Sequence, residues 1–158
     1  MRITTYDTRL NDEGLSFLIK DKAVNYAAEK REMKEPYIIV NMMNTVFESN
    51  KKDTEYLHML CFDTHMNLKG VFEISHGTVN ASIVSPREVF IKALLGGAVN
   101  IILTHNHPSG NLFPSESDMA LTERVKEAGD LINVKLVDHI IIGDNDYLSM
   151  KEHDYCNL

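Results

Sequence analysis

A chain of 158 residues with 44% apolar content amounts to one domain, long enough to bury a proper core without staples. Its formal charge of −7, from 23 acidic against 16 basic residues, argues against a free-standing nucleic-acid binder, which needs a basic surface to neutralise phosphates. Cys61 and Cys156 are spaced unlike any zinc or redox motif and fit a reducing compartment, while Met1–Tyr6 lacks the apolar core of a signal peptide and no run reaches the roughly 18 apolar residues of a membrane span, so a soluble, cytoplasmic protein is expected.

Residues Met1–Glu13 are polar and mixed and read as a poorly structured arm ending in the turn-like Asn11-Asp12-Glu13-Gly14. From Leu15 through Phe17 and Ile19 to Tyr26 the loose alternation suits a solvent-faced edge strand. Ala27–Glu35 is charged and reads as a connector, so an N-terminal arm over 1–35 precedes the domain proper at 36–158. After Pro36, apolar Ile38, Ile39, Met42, Met43, Val46 and Phe47 recur at helical spacing with one buried stripe. Ser49–Asp53 is a charged break. Tyr56–Phe62 then predicts an apolar strand, Asp63–Asn67 a turn, and Leu68–Ser75 the returning strand of a hairpin. His58 in the strand, His65 in the turn and His76 beyond carry no predicted role.

Val79–Val84 reads as a short extended piece. Ser85-Pro86-Arg87-Glu88 is a helix start, with Ser85 as N-cap, Pro86 at the first helical position and Glu88 reaching back. The helix runs to about Leu95, where Gly96-Gly97 supplies the left-handed residue that closes it.

Asn100–Thr104 is the next strand, and His105 and His107 stand at its exit before Pro108 and Gly110 stop it. Residues i and i+2 of a strand share a face, so the two imidazoles project side by side in a geometry that suits one metal ion. Asp118 follows far enough downstream for the chain to turn and return a carboxylate as a third ligand. Two histidines and a carboxylate with a fourth position left to water make a catalytic zinc set. A His-x-His pair alone is a weak signal, and Ser115 with Asp118 also reads as a capping box opening a helix through Leu131. The two readings are compatible, because a ligand on the first helical turn still faces the preceding loop. Lys135–Ile142 is a last buried strand with His139 packed at its start, and Tyr147–Met150 adds a short edge. Asp144–Asp146 is a turn that lacks calcium-loop spacing.

The series His105-Asn106-His107-Pro108-Ser109-Gly110 followed by Ser115-x-x-Asp118 resembles the signature of the JAMM (MPN or JAB) metalloprotease family. Ser85–Phe90 and Asp138–Gly143 narrow the resemblance to its RadC branch. The resemblance implies a mixed β-sheet flanked by helices, a single α/β domain of the JAMM/MPN (cytidine-deaminase-like) kind. It also implies one Zn2+ per chain held by His105, His107 and Asp118. Met1–Glu35 departs from the pattern, since nothing there looks like the helix-hairpin-helix region usual in RadC proteins.

Zinc hydrolysis needs a carboxylate to take and return a proton. Glu48, Glu55, Glu73 and Glu88 all lie upstream, and Glu88 is already explained as a cap. The resemblance decides for Glu55, because the family glutamate precedes an apolar strand like Leu57–Leu60, and it gives Ser115 the role of donor to the oxyanion. A peptidase or isopeptidase acting on a peptide or isopeptide substrate is therefore the expectation. The alternative is a non-catalytic, zinc-stabilised RadC-like interaction module associated with DNA repair or mobile elements. A nucleoside-deaminase chemistry would need a Pro-Cys-x-x-Cys segment, which is absent.

Overall fold

The computed structural model describes residues 1–27, 33–77 and 84–158. Its described residues form a seven-stranded mixed sheet in the order β2-β1-β4-β3-β5-β6-β7. The strands are β1 (Arg2–Leu10), β2 (Ser16–Asn25), β3 (Glu55–Phe62), β4 (Leu68–Gly77), β5 (Asn100–Asn106), β6 (Lys135–Ile142) and β7 (Tyr147–Ser149), and the helices are α1 (Pro36–Phe47), α2 (Pro86–Leu95) and α3 (Glu116–Ile132).

The sheet centre is covered on both faces, as its near-continuous apolar runs require. Leu57, Met59 and Cys61 of β3 and Ile101 and Leu103 of β5 pack with residues of α2 and α3, whereas Leu60, Phe62 and Ile102 pack on the opposite side with Ile39, Met42 and Met43 of α1. Strand parity thus decides which helices each side chain meets. His105 and Glu55 share the parity of the residues facing α2 and α3, while His58 faces the α1 side. There His58 lies beside Phe47 and Tyr56, and burial, aided by the charge of Lys52, pushes its imidazole down to about 4.

The expectation of a poorly structured arm over Met1–Glu13 is corrected. β1 pairs antiparallel with β2 along its length and parallel with β4 at Thr5 and Val71. Ile3 is its one fully buried apolar side chain, so backbone ladders rather than an apolar stripe hold it, and Thr4, Thr5, Tyr6 and Thr8 suit a pleated, half-solvated surface. Tyr6 also lies over Gly70, where any Cβ would stand 2.6 Å from its ring. The turn to β2 is closed by Asn11, whose side-chain oxygen accepts from the amides of Glu13 and Leu15.

The other elements fall where the residue patterns place them, with two differences. β5 continues through His105 to Asn106. Ser85 caps α2 in extended geometry but its side chain makes no cap bond; the amides of Glu88 and Val89 turn to the Ser85 carbonyl instead, leaving Glu88 exposed. The predicted extended piece at Val79–Val84 lies outside the described residues apart from Val84, as does most of the Ala27–Glu35 connector. Among the described residues no helix is long and apolar enough to cross a membrane.

Candidate metal centre

β5 ends against the start of α3, and the side chains there converge. His105 is the last inward-facing residue of β5 and is 1% exposed. The chain leaves the sheet after Asn106, yet the His107 amide still donates to the Ile142 carbonyl, so β6 holds His107 at the strand's mouth. Asp118 sits in the first turn of α3, buried, its place fixed by the capping box: Ser115 Oγ accepts from the Asp118 amide at 3.1 Å, and the Ser115 amide donates to Asp118 Oδ2 at 2.7 Å. The capping and ligand readings of Ser115-x-x-Asp118 are therefore one geometry.

The donor atoms fit a single small cation. Tetrahedral bonds of about 2.0 to 2.2 Å put neighbouring donors about 3.3 to 3.5 Å apart. His105 Nε2 lies 3.3 Å from Asp118 Oδ1 and His107 Nε2 lies 3.5 Å from Asp118 Oδ2. The two Nε2 atoms are closer, 2.8 Å apart, the separation of a hydrogen bond. His107 Nδ1 faces the Asn111 carbonyl, which can only accept, so in neutral His107 the proton sits on Nδ1 and Nε2 offers a lone pair. A lone pair aimed at a second buried imidazole beside a carboxylate needs something positive between them, either a proton or a metal. With only a proton available, the hydrogen bond to Asp118 raises His107 above its ordinary 6.5 against the effect of burial, and the Asn111 carbonyl and the charges of Asp118 and Glu55 add to the rise. Burial by itself would push the Asp118 carboxyl up. Hydrogen bonds and charge from His105 and His107, together with Ser115, overcome it and hold the carboxyl well below the usual carboxylate range. A metal ion would take over this role, widening the gap between the two Nε2 atoms by about half an ångström.

Glu55 opens β3. The register Leu57 to His105 and His58 to Thr104, continued toward the strand mouth, runs Glu55 alongside His107. Asn106 fixes that end: its side chain accepts from the Tyr56 amide at 2.9 Å and donates to the Thr54 carbonyl at 2.8 Å, bracketing Glu55 on both sides. Asn106 went unassigned in the sequence, although its place between two histidines was a visible signal. The Ser115 hydroxyl donates to Asp118 Oδ2 at 2.7 Å. Of the other carboxylates considered, Glu73 lies on β4 opposite His58 and lines a different cavity with Glu48, and Glu88 points to solvent from α2. His76 stacks on Tyr56 at 4.0 Å, and His65 sits in the β3–β4 turn. Beside His107 a cavity of about 400 Å³ opens between Ser49–Lys52, Asn106 and the Pro108–Gly110 loop, within the range of small-ligand clefts.

Comparison with known proteins agrees with this geometry. A family model described as the RadC-like JAB domain matches residues 33–155. A UPF0758 protein of Finegoldia magna is 48% identical over 103 residues, covering 65% of this chain and 46% of the relative. One from Methanococcoides burtonii is 48% identical over 101 residues, covering 64% of this chain and 44% of the relative. A third, from Actinobacillus pleuropneumoniae, is 36% identical over 140 residues, covering 86% of this chain and 63% of the relative. The chain spans about half the length of the curated relatives it matches most strongly.

Proposed function

The chain belongs to the RadC-like JAB domain family, and we propose that it is a zinc-dependent hydrolase of peptide or isopeptide bonds. The observation that carries the reading is the convergence of His105 Nε2, His107 Nε2 and an Asp118 oxygen within 4.8 Å of one another, beside a carboxylate held at the mouth of the same cleft. Zinc there would supply a Lewis acid and lower the pKa of its water from about 15.7 to about 7.

The chain's own residues do the rest. His105, His107 and Asp118 provide three ligands from one strand end and one helix start, leaving a side open toward the cavity at His107. Glu55, braced by Asn106, takes the proton of the attacking water and returns it to the leaving amine. Ser115 donates to the oxyanion; its hydroxyl proton, directed at Asp118 Oδ2, must swing away from that carboxylate to do so.

The test is hydrolysis of an unbiased peptide library and of isopeptide-linked peptides by zinc-loaded protein. Cleavage should stop on chelation. Glu55→Gln should keep zinc and fold while turnover falls by about 10² to 10⁴. Glu55→Gln turning over at the wild-type rate would remove Glu55 from the mechanism. Full zinc loading with no cleavage of any substrate would favour the non-catalytic interaction module.

A further inference from the structure

We propose that His139 is a positioning residue of the metal centre, fixing through Thr122 the tautomer in which His105 presents Nε2 as a lone-pair donor. The inference rests on the metal-centre reading and extends it to residues that touch no metal.

His139 lies on β6, fully buried, in a strand otherwise filled by Ile140, Ile141 and Ile142. An imidazole there must satisfy both nitrogens or forfeit their solvation. It does so on either side: Nε2 lies 2.8 Å from His105 Nδ1, and Nδ1 lies 2.7 Å from Thr122 Oγ1. The direction of the protons follows from the far end. Thr122 Oγ1 is 2.6 Å from the Asp118 carbonyl one turn back along α3. A carbonyl can only accept, so the single hydroxyl proton of Thr122 goes there, and His139 Nδ1 must be the donor in its contact with Thr122. An imidazole sunk this deeply, with no carboxylate among its hydrogen-bond partners, stays neutral and has only that one proton. Its Nε2 is then an acceptor, His105 Nδ1–H donates to it, and His105 Nε2 is left bare, facing His107 Nε2 and Asp118.

Metal-ligating histidines usually donate their second N–H to a carboxylate, a carbonyl or water. Here the acceptor is a second imidazole, anchored to the helix that carries Asp118. The relay therefore ties the His105 and Asp118 ligands together from behind, as well as choosing the tautomer. Reversed, with Thr122 donating to His139, the same chain of bonds would put a proton on His105 Nε2 and abolish the ligand.

Zinc affinity measured by competition with a chromophoric chelator tests the relay. His139→Phe should weaken zinc by about 10- to 100-fold, and Thr122→Val should move affinity in the same direction. His139→Gln, which keeps an acceptor near the Nε2 position, should restore most of the loss, as should Thr122→Ser. A purely packing role predicts the opposite ranking, with Phe tolerated and Gln not. Nitrogen-15 NMR of the histidine rings in metal-free wild type gives an independent readout: His105 should be protonated at Nδ1, and Thr122→Val should mix the tautomers. Zinc affinity of His139→Phe within threefold of a zinc-binding wild type, or a proton found on His105 Nε2 in metal-free wild type, overturns the proposal. Wild type that binds no zinc would instead contradict the metal-centre reading, with the NMR result still deciding the relay.

Discussion

At His107 the same nitrogen serves a proton or a metal, and that competition has a sign. In the metal-free fold His107 holds its proton above its ordinary 6.5 because of the Asp118 hydrogen bond, so its ion pair contributes fully to stability below about 6.5 and is lost as pH rises through the raised value. Zinc requires the nitrogen bare, so stabilisation by zinc must grow across that window. The difference in Tm between zinc-loaded and metal-free protein should be larger at pH 8 than at pH 6; at a free zinc concentration of about 100 times Kd the full effect is about 2.7 kcal/mol. Equal shifts at both pH values would exclude His107 as a ligand. Asn106 makes a second residue-level case. Asn106→Ala leaves the Tyr56 amide and Thr54 carbonyl without their partner, which costs about 1 to 3 kcal/mol, and frees the backbone on both sides of Glu55. Melting should fall and turnover should fall with zinc retained. Wild-type turnover in Asn106→Ala at full zinc occupancy would show that Glu55 does not need the brace.

The element that sets the centre is α3, since it brings Asp118 to β5 at its first turn and enters β6 from its last. Its exit is tight. A Cβ on Gly129 would stand 2.3 Å from the Val134 carbonyl oxygen and 3.1 Å from the Phe90 ring, while the Val134 amide donates back to the Gly129 carbonyl. On an open helix surface Gly→Ala gains about 0.4 to 1 kcal/mol. Here backbone stands in the way, and Gly129→Ala should instead destabilise by about 1 to 3 kcal/mol or more, seen as a lower urea midpoint; a raised midpoint would mean that the α3–β6 junction has slack. Much of this scale was legible beforehand. Periodicity gave α1, the Ser-x-x-Asp pair gave the start of α3, and alternate residues gave the shared aim of His105 and His107, because each is a local rule of backbone geometry. β1 was not legible, because a strand held by two backbone ladders with Ile3 alone in the core leaves no hydropathy trace. The role of His139 was hidden for a related reason: its partners Thr122 and His105 come from other elements, and only their packing reveals that the imidazole links them.

Across the whole molecule the centre sits where the antiparallel part of the sheet, β4-β3-β5, meets the parallel pair β5-β6 that α3 connects. Strand ends beside a helix N-terminus are where open α/β sheets collect their sites, and here the antiparallel neighbour β3 adds Glu55 from the same end. The β1–β2 hairpin lies outside the matched residues 33–155 yet extends the same sheet, so the family part of the chain carries the complete ligand set while the hairpin covers the edge of β4. The order of strands could not be read from the chain, because the parallel contact of β1 with β4 joins Thr5 to Val71 across a separation that no local pattern encodes. All of this places one cation at one point. The most direct measurement is zinc titration of metal-free protein, wild type beside His107→Ala and Asp118→Asn, with bound metal counted per chain. One zinc per wild-type chain, lost or weakened by orders of magnitude in both variants, is the predicted result. Wild type that takes up no zinc, or variants that bind it as tightly as wild type, would contradict the centre.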